Sequence, residues 1–296
     1  SEDEMPDGTP RLLATVYDLG KGRDFRCAHA AINGEIYEGE FKDHLRDGLG
    51  TCLYTNGDMY EGEWKEGMVH GQGLITNSKG DMVCRGVFAD GRINGKATFH
   101  HNDGSLYSGD WRESRRHGLG TYTDAHGNVY NGEWKDNVRQ GHGTTRDVNN
   151  NVFEGEWFRD LRHGAGTLTC VDGTHYEGSW KNNQLEGRGV ITYPDGGRYE
   201  GTLRNGVKDG RGMYIFPSKS EYEGRFRNDK IHGMGTLRMG SGITMTSGGK
   251  GAATEGVKTE QGDDGSEETE EIMIPIDMQK DLPTVHFIAG FDRFGN

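Results

Sequence analysis

One pattern recurs so often in this chain that it decides most of what the chain can become. Nine times the sequence returns to the form Y-E-G-x-W, opening at Tyr37, Tyr60, Cys84, Tyr107, Tyr130, Phe153, Tyr176, Tyr199 and Tyr222. The interval is 23 residues throughout, except for 24 between the second and third copies. The central glycine is present in every copy. The fifth position holds Phe41, Trp64, Phe88, Trp111, Trp134, Trp157, Trp180, Leu203 and Phe226, so all five tryptophans of the protein stand there. Nine residues after each central glycine comes G-x-G, from Gly48/Gly50 to Gly233/Gly235; only Gly95-Lys96-Ala97 departs from it.

The unit reads as a β-hairpin. Along Y-E-G-x-W the ring, the glycine and the second ring are two residues apart, so they share one face of a strand, and the acids between them take the other. A polar stretch such as Lys65-Glu66-Gly67-Met68-Val69-His70 makes the first turn. The G-x-G strand returns, and pairs such as Asn56-Gly57, Asp103-Gly104, Asp172-Gly173 and Asp195-Gly196 close the unit, because such pairs suit turns that need positive φ. Two strands and two turns fill 23 residues and leave no room for a helix. Glycine ordinarily weakens a strand. Nine in register therefore predict rings laid over glycine backbone, where any Cβ would collide. The third copy is the irregular one, with Cys84 for the ring, Ala97 for a glycine and one extra residue. That residue makes either a bulge in a strand or an absorbed loop insertion.

The YEGEW…GxGT unit resembles the MORN (membrane occupation and recognition nexus) repeat. The resemblance covers residues 33–240, and it implies an all-β, elongated single-layer antiparallel β-hairpin solenoid of about nine 23-residue repeats. It further implies a groove lined by the aromatic positions Tyr37, Phe41, Tyr60, Trp64, Tyr107, Trp111, Tyr130, Trp134, Phe153, Trp157, Tyr176, Trp180, Tyr199, Tyr222 and Phe226. Array-only relatives imply a non-catalytic scaffold in the cytoplasm and cytoskeleton, in a cilium or flagellum axoneme and radial-spoke setting. The alternatives are a membrane-apposed organiser of acidic phospholipids and a regulatory module of a separate enzyme.

Charge and motif content point away from other classes. The net charge is −13, and the ends carry most of it: residues 1–20 hold −4, residues 241–296 hold −7, and the body between them −2. A nucleic-acid binder would show a basic stripe. Gly248-Gly249-Lys250 fails as a phosphate loop, with Thr244 where glycine belongs and Gly251 where Ser or Thr belongs. His70, His117, His163 and His232 follow the repeat period, and equivalent positions of successive repeats already lie about 10 Å apart, too far to share a metal ion at ~2 Å per ligand. No catalytic residue, cofactor or metal site is predicted. The four cysteines lack CxxC spacing and read as free thiols. The residue after the fifth motif position is basic in seven copies: Lys42, Lys65, Arg112, Lys135, Lys181, Arg204 and Arg227. Flanking acids such as Glu38, Glu61 and Glu154 make that outer face one of mixed sign, although a row for acidic lipid headgroups or acidic protein tails is the sharper alternative.

The ends complete the organisation. Residues 1–32 form an acidic extension or degenerate cap, 33–240 the array, 241–271 a flexible acidic linker, and 272–296 an apolar docking segment carrying Ile272, Ile274, Ile276, Val285, Phe287 and Ile288. The last hairpin leaves an edge with unpaired N–H and C=O groups, and the tail is expected to dock by strand addition or groove filling on its own array, on a second copy or on a neighbouring protein. The expected partners are other proteins of a large assembly, with a second copy of the chain and membrane lipid as alternatives.

Overall fold

A computed structural model describes the backbone of residues 25–30, 34–239 and 244–247, and the side chains of residues 34–239. The described residues form antiparallel strands and turns, with no helix. They fall into two compact units divided between Val138 and Arg139. The first contains β1 (Phe25–Ala30), β2 (Ile36–Lys42), β3 (Leu45–Leu53), β4 (Met59–Lys65), β5 (Met68–Thr76), β6 (Met82–Ala89), β7 (Arg92–His100), β8 (Leu106–Arg112), β9 (Arg115–Thr123) and β10 (Val129–Lys135). The second contains β11 (Val138–Arg146), β12 (Val152–Phe158), β13 (Leu161–Thr169), β14 (His175–Lys181), β15 (Gln184–Thr192), β16 (Arg198–Arg204), β17 (Val207–Ile215), β18 (Glu221–Arg227), β19 (Lys230–Arg238) and β20 (Thr244–Ser247). Within each unit every strand pairs with its neighbours in chain order, giving an open meander.

The motif hairpins are β2–β3, β4–β5 and so on. Their tips are tighter than the polar stretches suggested. Lys65 pairs with Met68, which leaves only Glu66 and Gly67 in the turn, at φ 50° and 84°. Two successive positive φ values make a type I′ turn, whose twist matches that of the strands. The same pair of conformations recurs at Asp43-His44, Asp136-Asn137 and Asn182-Asn183.

An irregularity follows the tip in eight of the motif hairpins, besides the one expected at the third repeat. In β2–β3, Gly39 faces Gly50 and Phe41 faces Arg46, so Glu40 alone spans Asp47, Gly48 and Leu49. The same shift occurs in β4–β5, β6–β7, β8–β9, β12–β13, β14–β15, β16–β17 and β18–β19. The two glycines of G-x-G thus have different tasks. The first, as at Gly71 with φ 57°, turns the backbone at the bulge. The second, as at Gly73, lies flat against the central glycine of the opposite strand, Gly62.

Over that glycine pair lies the tyrosine. A Cβ built on Gly62 would stand 2.6 Å from the Gly73 Cα and 2.7 Å from the Tyr60 hydroxyl oxygen. The hydroxyl passes across both glycines and donates to the Glu63 carbonyl at 2.9 Å. Tyr37, Tyr107, Tyr130 and Tyr199 donate in the same way to the carbonyl three residues on. The ring therefore covers the glycines of its own hairpin, whereas the fifth-position ring reaches the hairpin before it.

The third repeat does carry a strand bulge. Ile75 pairs with Cys84 and Thr76 with Met82, so the extra residue, Val83, sits inside β6. Cys84 and Ala97 are linked changes. The Ala97 methyl occupies the space a ring would need over Gly86, and Phe99, opposite Cys84, instead sends its ring to Trp111, 5.9 Å between centroids.

Two strands flank the array. β1 lies in the stretch read as an acidic extension or degenerate cap and pairs with β2. β20 lies in the stretch read as a linker from residue 241 and pairs with β19, at the edge of the last hairpin. Ile272, Ile274, Ile276, Val285, Phe287 and Ile288 lie outside the described residues.

Gly62→Ala tests the close approach. Its Cβ meets backbone that cannot rotate away, so a loss of about 1–3 kcal/mol is expected in chemical denaturation. Gly104→Ala, where a Cβ would meet nothing within 4 Å, changes only the cost of its positive φ.

Candidate interaction surfaces

The aromatic face is closed on itself. Tyr60, Tyr107, Tyr130, Phe153, Tyr199 and Tyr222 are fully buried, and Tyr37, Tyr176 and the five tryptophans nearly so. Phe226 is buried with them, and Phe41 is half-buried. Trp64, Trp134 and Phe226 each pack edge-to-face on the first ring of their own strand and on that of the preceding repeat. Trp64 lies 5.2 Å from both Tyr60 and Tyr37, Trp134 lies 5.1 Å from Tyr130 and 5.4 Å from Tyr107, and Trp180 lies 5.1 Å from Phe153. Edge-to-face contacts at these separations add about 0.5–1.5 kcal/mol each beyond area burial.

Each indole also carries a directed bond. Trp64, Trp111, Trp134, Trp157 and Trp180 donate Nε1–H to the carbonyl of residue 50, 97, 120, 143 and 166 respectively, at 2.9–3.1 Å. The acceptor is always the second small residue of the preceding G-x-G. The tryptophan thereby locks one hairpin to the one before it.

A third column was not recognised in the sequence. Two residues before the first glycine of G-x-G stand Arg46, Val69, Ile93, Arg116, Arg139, Arg162, Leu185, Lys208 and Ile231. The cations among them point into the aromatic layer. The Arg116 guanidinium lies 4.5 Å from the Trp134 ring centroid, that of Arg139 4.3 Å from Trp157, and that of Arg162 4.8 Å from Phe153. Rings attract such cations through their negative faces. Turn residues complete the shell: Asp160 Oδ1 accepts from the Arg139 backbone N–H at 2.9 Å and from its Nε at 3.1 Å. The signal was available, because a position that alternates arginine or lysine with valine, isoleucine and leucine is an inward one.

Lys208 is the extreme member, at 0% exposure. Its Nζ stands 5.2–5.7 Å from the ring centroids of Tyr193, Tyr199 and Tyr214. Burial lowers its pKa from the ordinary 10.5 to about 8, against the opposing pull of Asp229. Burial also pushes the thiols of Cys84 and Cys170 up to about 11, which keeps them protonated; with Cys52 they are free and buried.

The outer face holds the variable chemistry. The basic residues after the fifth position, Lys42, Lys65, Arg112, Lys135, Lys181, Arg204 and Arg227, are all exposed beside the hairpin tips. The acids of the fourth position are engaged elsewhere. Glu63, Asp110 and Glu156 fold back over their bulges and accept the N–H of Gln72, Leu119 and Ala165 at 2.8, 3.0 and 3.2 Å. Apolar side chains gather on the outer face of the first repeat. Ile36, Leu45, Leu49 and Leu53 are 42–52% exposed, and Ile36 stands directly opposite Leu53. Among the described residues, no three His, Cys, Asp or Glu side chains converge as a metal site, and no helix is long and apolar enough to cross a membrane.

Comparison with known proteins bears on the repeat. The MORN repeat matches nine segments: residues 37–59, 60–82, 84–106, 107–129, 130–152, 153–175, 176–198, 199–221 and 222–244. No curated protein matches the chain. Among solved structures, it is similar to the TCP domain of Drosophila melanogaster SAS-4 (dCPAP) in complex with a proline-rich motif of Ana2 (dSTIL). That match has 15% identity, a TM-score of 0.31, and coverage of 52% of this chain and 78% of that one. A point mutant of the TCP10 domain of Danio rerio CPAP matches with 12% identity and a TM-score of 0.29, covering 75% of this chain and 99% of that one. Likenesses at these scores carry no inference about function.

Lys208 makes the stability of the second unit depend on pH in a defined direction. Below about pH 8 the lysine is charged both folded and unfolded, and folding bears the full cost of burying the charge. Between about 8 and 10.5 the unfolded chain binds more protons than the folded one, so this contribution to stability rises with pH. The difference in denaturation midpoint between the wild type and Lys208→Met is expected to shift in favour of the wild type over that window. A pH-independent difference would show that the ammonium is not buried.

Proposed function

Because the chain belongs to the MORN repeat family, we propose that it is a non-catalytic interaction scaffold of a cytoskeletal assembly, in the setting of a ciliary or flagellar axoneme as a radial-spoke-like component. The observation that carries the scaffold reading is the division of labour between the two faces. The aromatic face spends its rings, indole N–H groups and inward cations on its own hairpins. Beyond the acids bound over the bulges, the outer face presents exposed side chains. Four aliphatic residues of one repeat, Ile36, Leu45, Leu49 and Leu53, stand exposed and offer apolar surface for a protein contact.

The axonemal setting rests on the resemblance to array-only members of the family. The proposed partners are protein components of the assembly. The segment around Ile272, Ile276 and Phe287 is proposed as a second contact, and pairing with another copy of the chain is an alternative. The lipid reading finds less support, since the basic row at the hairpin tips is interleaved with exposed acids such as Glu38, Glu61 and Glu154.

Endogenously tagged protein tests this reading. Wild type is expected in the detergent-extracted cytoskeletal fraction. Leu49→Glu with Leu53→Glu is expected to lower that fraction several-fold while the circular dichroism melt stays unchanged. Normal retention of this variant, with loss on deleting residues 272–296, would move the contact to the C-terminal segment. Release of the wild type by detergent, together with salt-sensitive sedimentation on phosphoinositide vesicles, would replace the scaffold reading with the membrane one.

A further inference from the structure

The fourth motif position has a role that goes beyond the hairpin. The amide that Glu63, Asp110 or Glu156 accepts belongs to the central residue of G-x-G, just after a glycine at φ 57–59°. A left-handed residue followed by an inward-turned N–H forms a small concave nest for an anion. In the second, fourth and sixth repeats the chain fills this nest with its own carboxylate. In the seventh, eighth and ninth, the position is held by Ser179, Thr202 and Arg225. Around Gly187 and Gly233 an added Cβ would meet nothing within 4 Å, whereas at Gly164 it would meet the Glu156 carboxyl carbon at 2.5 Å. At Gly187 and Gly233 that space is therefore open and its internal acid is missing, whereas at Gly210, with φ 113°, the Thr202 side chain lies over the bulge.

Cations surround the same place. Arg188, Arg211 and Arg225 are exposed on the outer face, and Arg211 stands directly opposite Arg225. The equivalent cross-strand pair between the third and fourth repeats is Lys96 with Asp110, an ion pair at 2.8 Å. Like charges directly opposed destabilise a sheet. The nearby acids are already engaged: Glu200 by Arg198 at 3.3 Å, Asp209 by Arg204 at 4.0 Å, and Glu223 by Arg238 at 3.6 Å.

We infer that the outer face around Arg188, Arg211 and Arg225 is a carboxylate-binding surface whose occupant is the chain's own acidic segment, residues 263–271. Carboxylate is the ligand class because that is what fills the same nest in the sister repeats. The segment holds Asp263, Asp264, Glu267, Glu268, Glu270 and Glu271, with no basic residue among them. It is also within reach. The chain leaves β20 at Ser247, two strands from Arg225 and five from Arg188, or about 10 and 24 Å at the usual strand spacing. Residues 248–262 span up to about 50 Å when extended. Such a tether supplies an effective concentration in the millimolar range, enough to hold a weak electrostatic contact closed. Occupied in this way, the face is masked until a competing acidic partner or a rise in ionic strength displaces the segment.

The test uses the full-length protein and a glutamate-specific endoprotease at low ionic strength. It follows cleavage after Glu267, Glu268, Glu270 and Glu271, with Glu255 as the reference site. Arg211→Gln with Arg225→Gln is expected to raise the cleavage rate about tenfold, as the loss of a tethered contact does, and high salt is expected to bring the wild type to the same rate. Arg225→Glu is the second variant. It restores the carboxylate the sister repeats carry, so it should fold as they do and release the segment as well. Equal rates in all three proteins at low salt overturn the inference. Protection that disappears on dilution overturns the intramolecular form, because it assigns the bound acid to a second copy.

Discussion

The packing in this protein depends on the approach of two glycines. Gly62 and Gly73, and Gly201 and Gly212, lie so close across their hairpins that a Cβ on the first would stand 2.6 and 2.5 Å from the Cα of the second, and the counterparts are similar. That approach brings the strands near enough for one tyrosine ring to cover both. Two consequences follow from a single geometry. The ring obtains a flat backbone surface to pack on, and its hydroxyl reaches a carbonyl at the bulge that the ladder leaves without a regular partner. A layer of hairpins has no opposing sheet to supply a core. Ring-on-glycine packing lets each hairpin make its own, and the tryptophan bond to the previous repeat joins those cores in series.

The buried cations belong to the same economy of space. A single layer offers its inward side chains rings on one side and little aliphatic material on the other. Arginine and lysine suit that position, because their long stems fill volume while their heads lie against ring faces. The cost of burying charge is reduced by the tip residues: Asp160 binds Arg139, and the Asn137 carbonyl accepts from Arg116 Nη2 at 3.1 Å. Where the column holds Val69, Ile93, Leu185 or Ile231, the stem alone does the filling. Lys208 shows the limit of the arrangement, since even three tyrosines and Asp229 leave its pKa below the ordinary value.

Much of this was legible in the sequence for a physical reason: each conserved spacing reflects a face. The period of two in Tyr-Gly-Trp gave the inward side, and the 23-residue interval gave the hairpin. What escaped was whatever breaks the period of two. Beyond the bulge between Gly39 and Phe41, Arg46 keeps the inward side, and it escaped notice because a charged residue is ordinarily a solvent-facing one. The fourth-position acids were read as solvated, and alternation alone supports that. Their bonds to Gln72, Leu119 and Ala165 exist only because the bulge turns those amides outward. The third repeat was half legible. The extra residue was evident, but its placement at Val83 depended on the linked replacement of a ring by Cys84 and a glycine by Ala97.

These constraints divide the repeat into positions that are free and positions that are not. The first, third and fifth motif residues, both G-x-G glycines and the inward column each touch at least two other columns, so a change at one requires a change at another. Cys84, Ala97 and Phe99 show what such a joint change looks like. The side chains of the central residue of G-x-G and of the fourth motif position lie on the outer face, against each other, the bulge and solvent. In this chain they run from Leu49 with Glu63, through Lys96 with Asp110, to Arg211 with Arg225. An apolar-acidic pair, a neutralised pair and a doubly basic pair therefore sit on one backbone at no cost to its core. A scaffold that must present different surfaces at successive places along its length needs a lattice of this kind, in which recognition can vary at two positions per repeat while the rings and glycines stay in register.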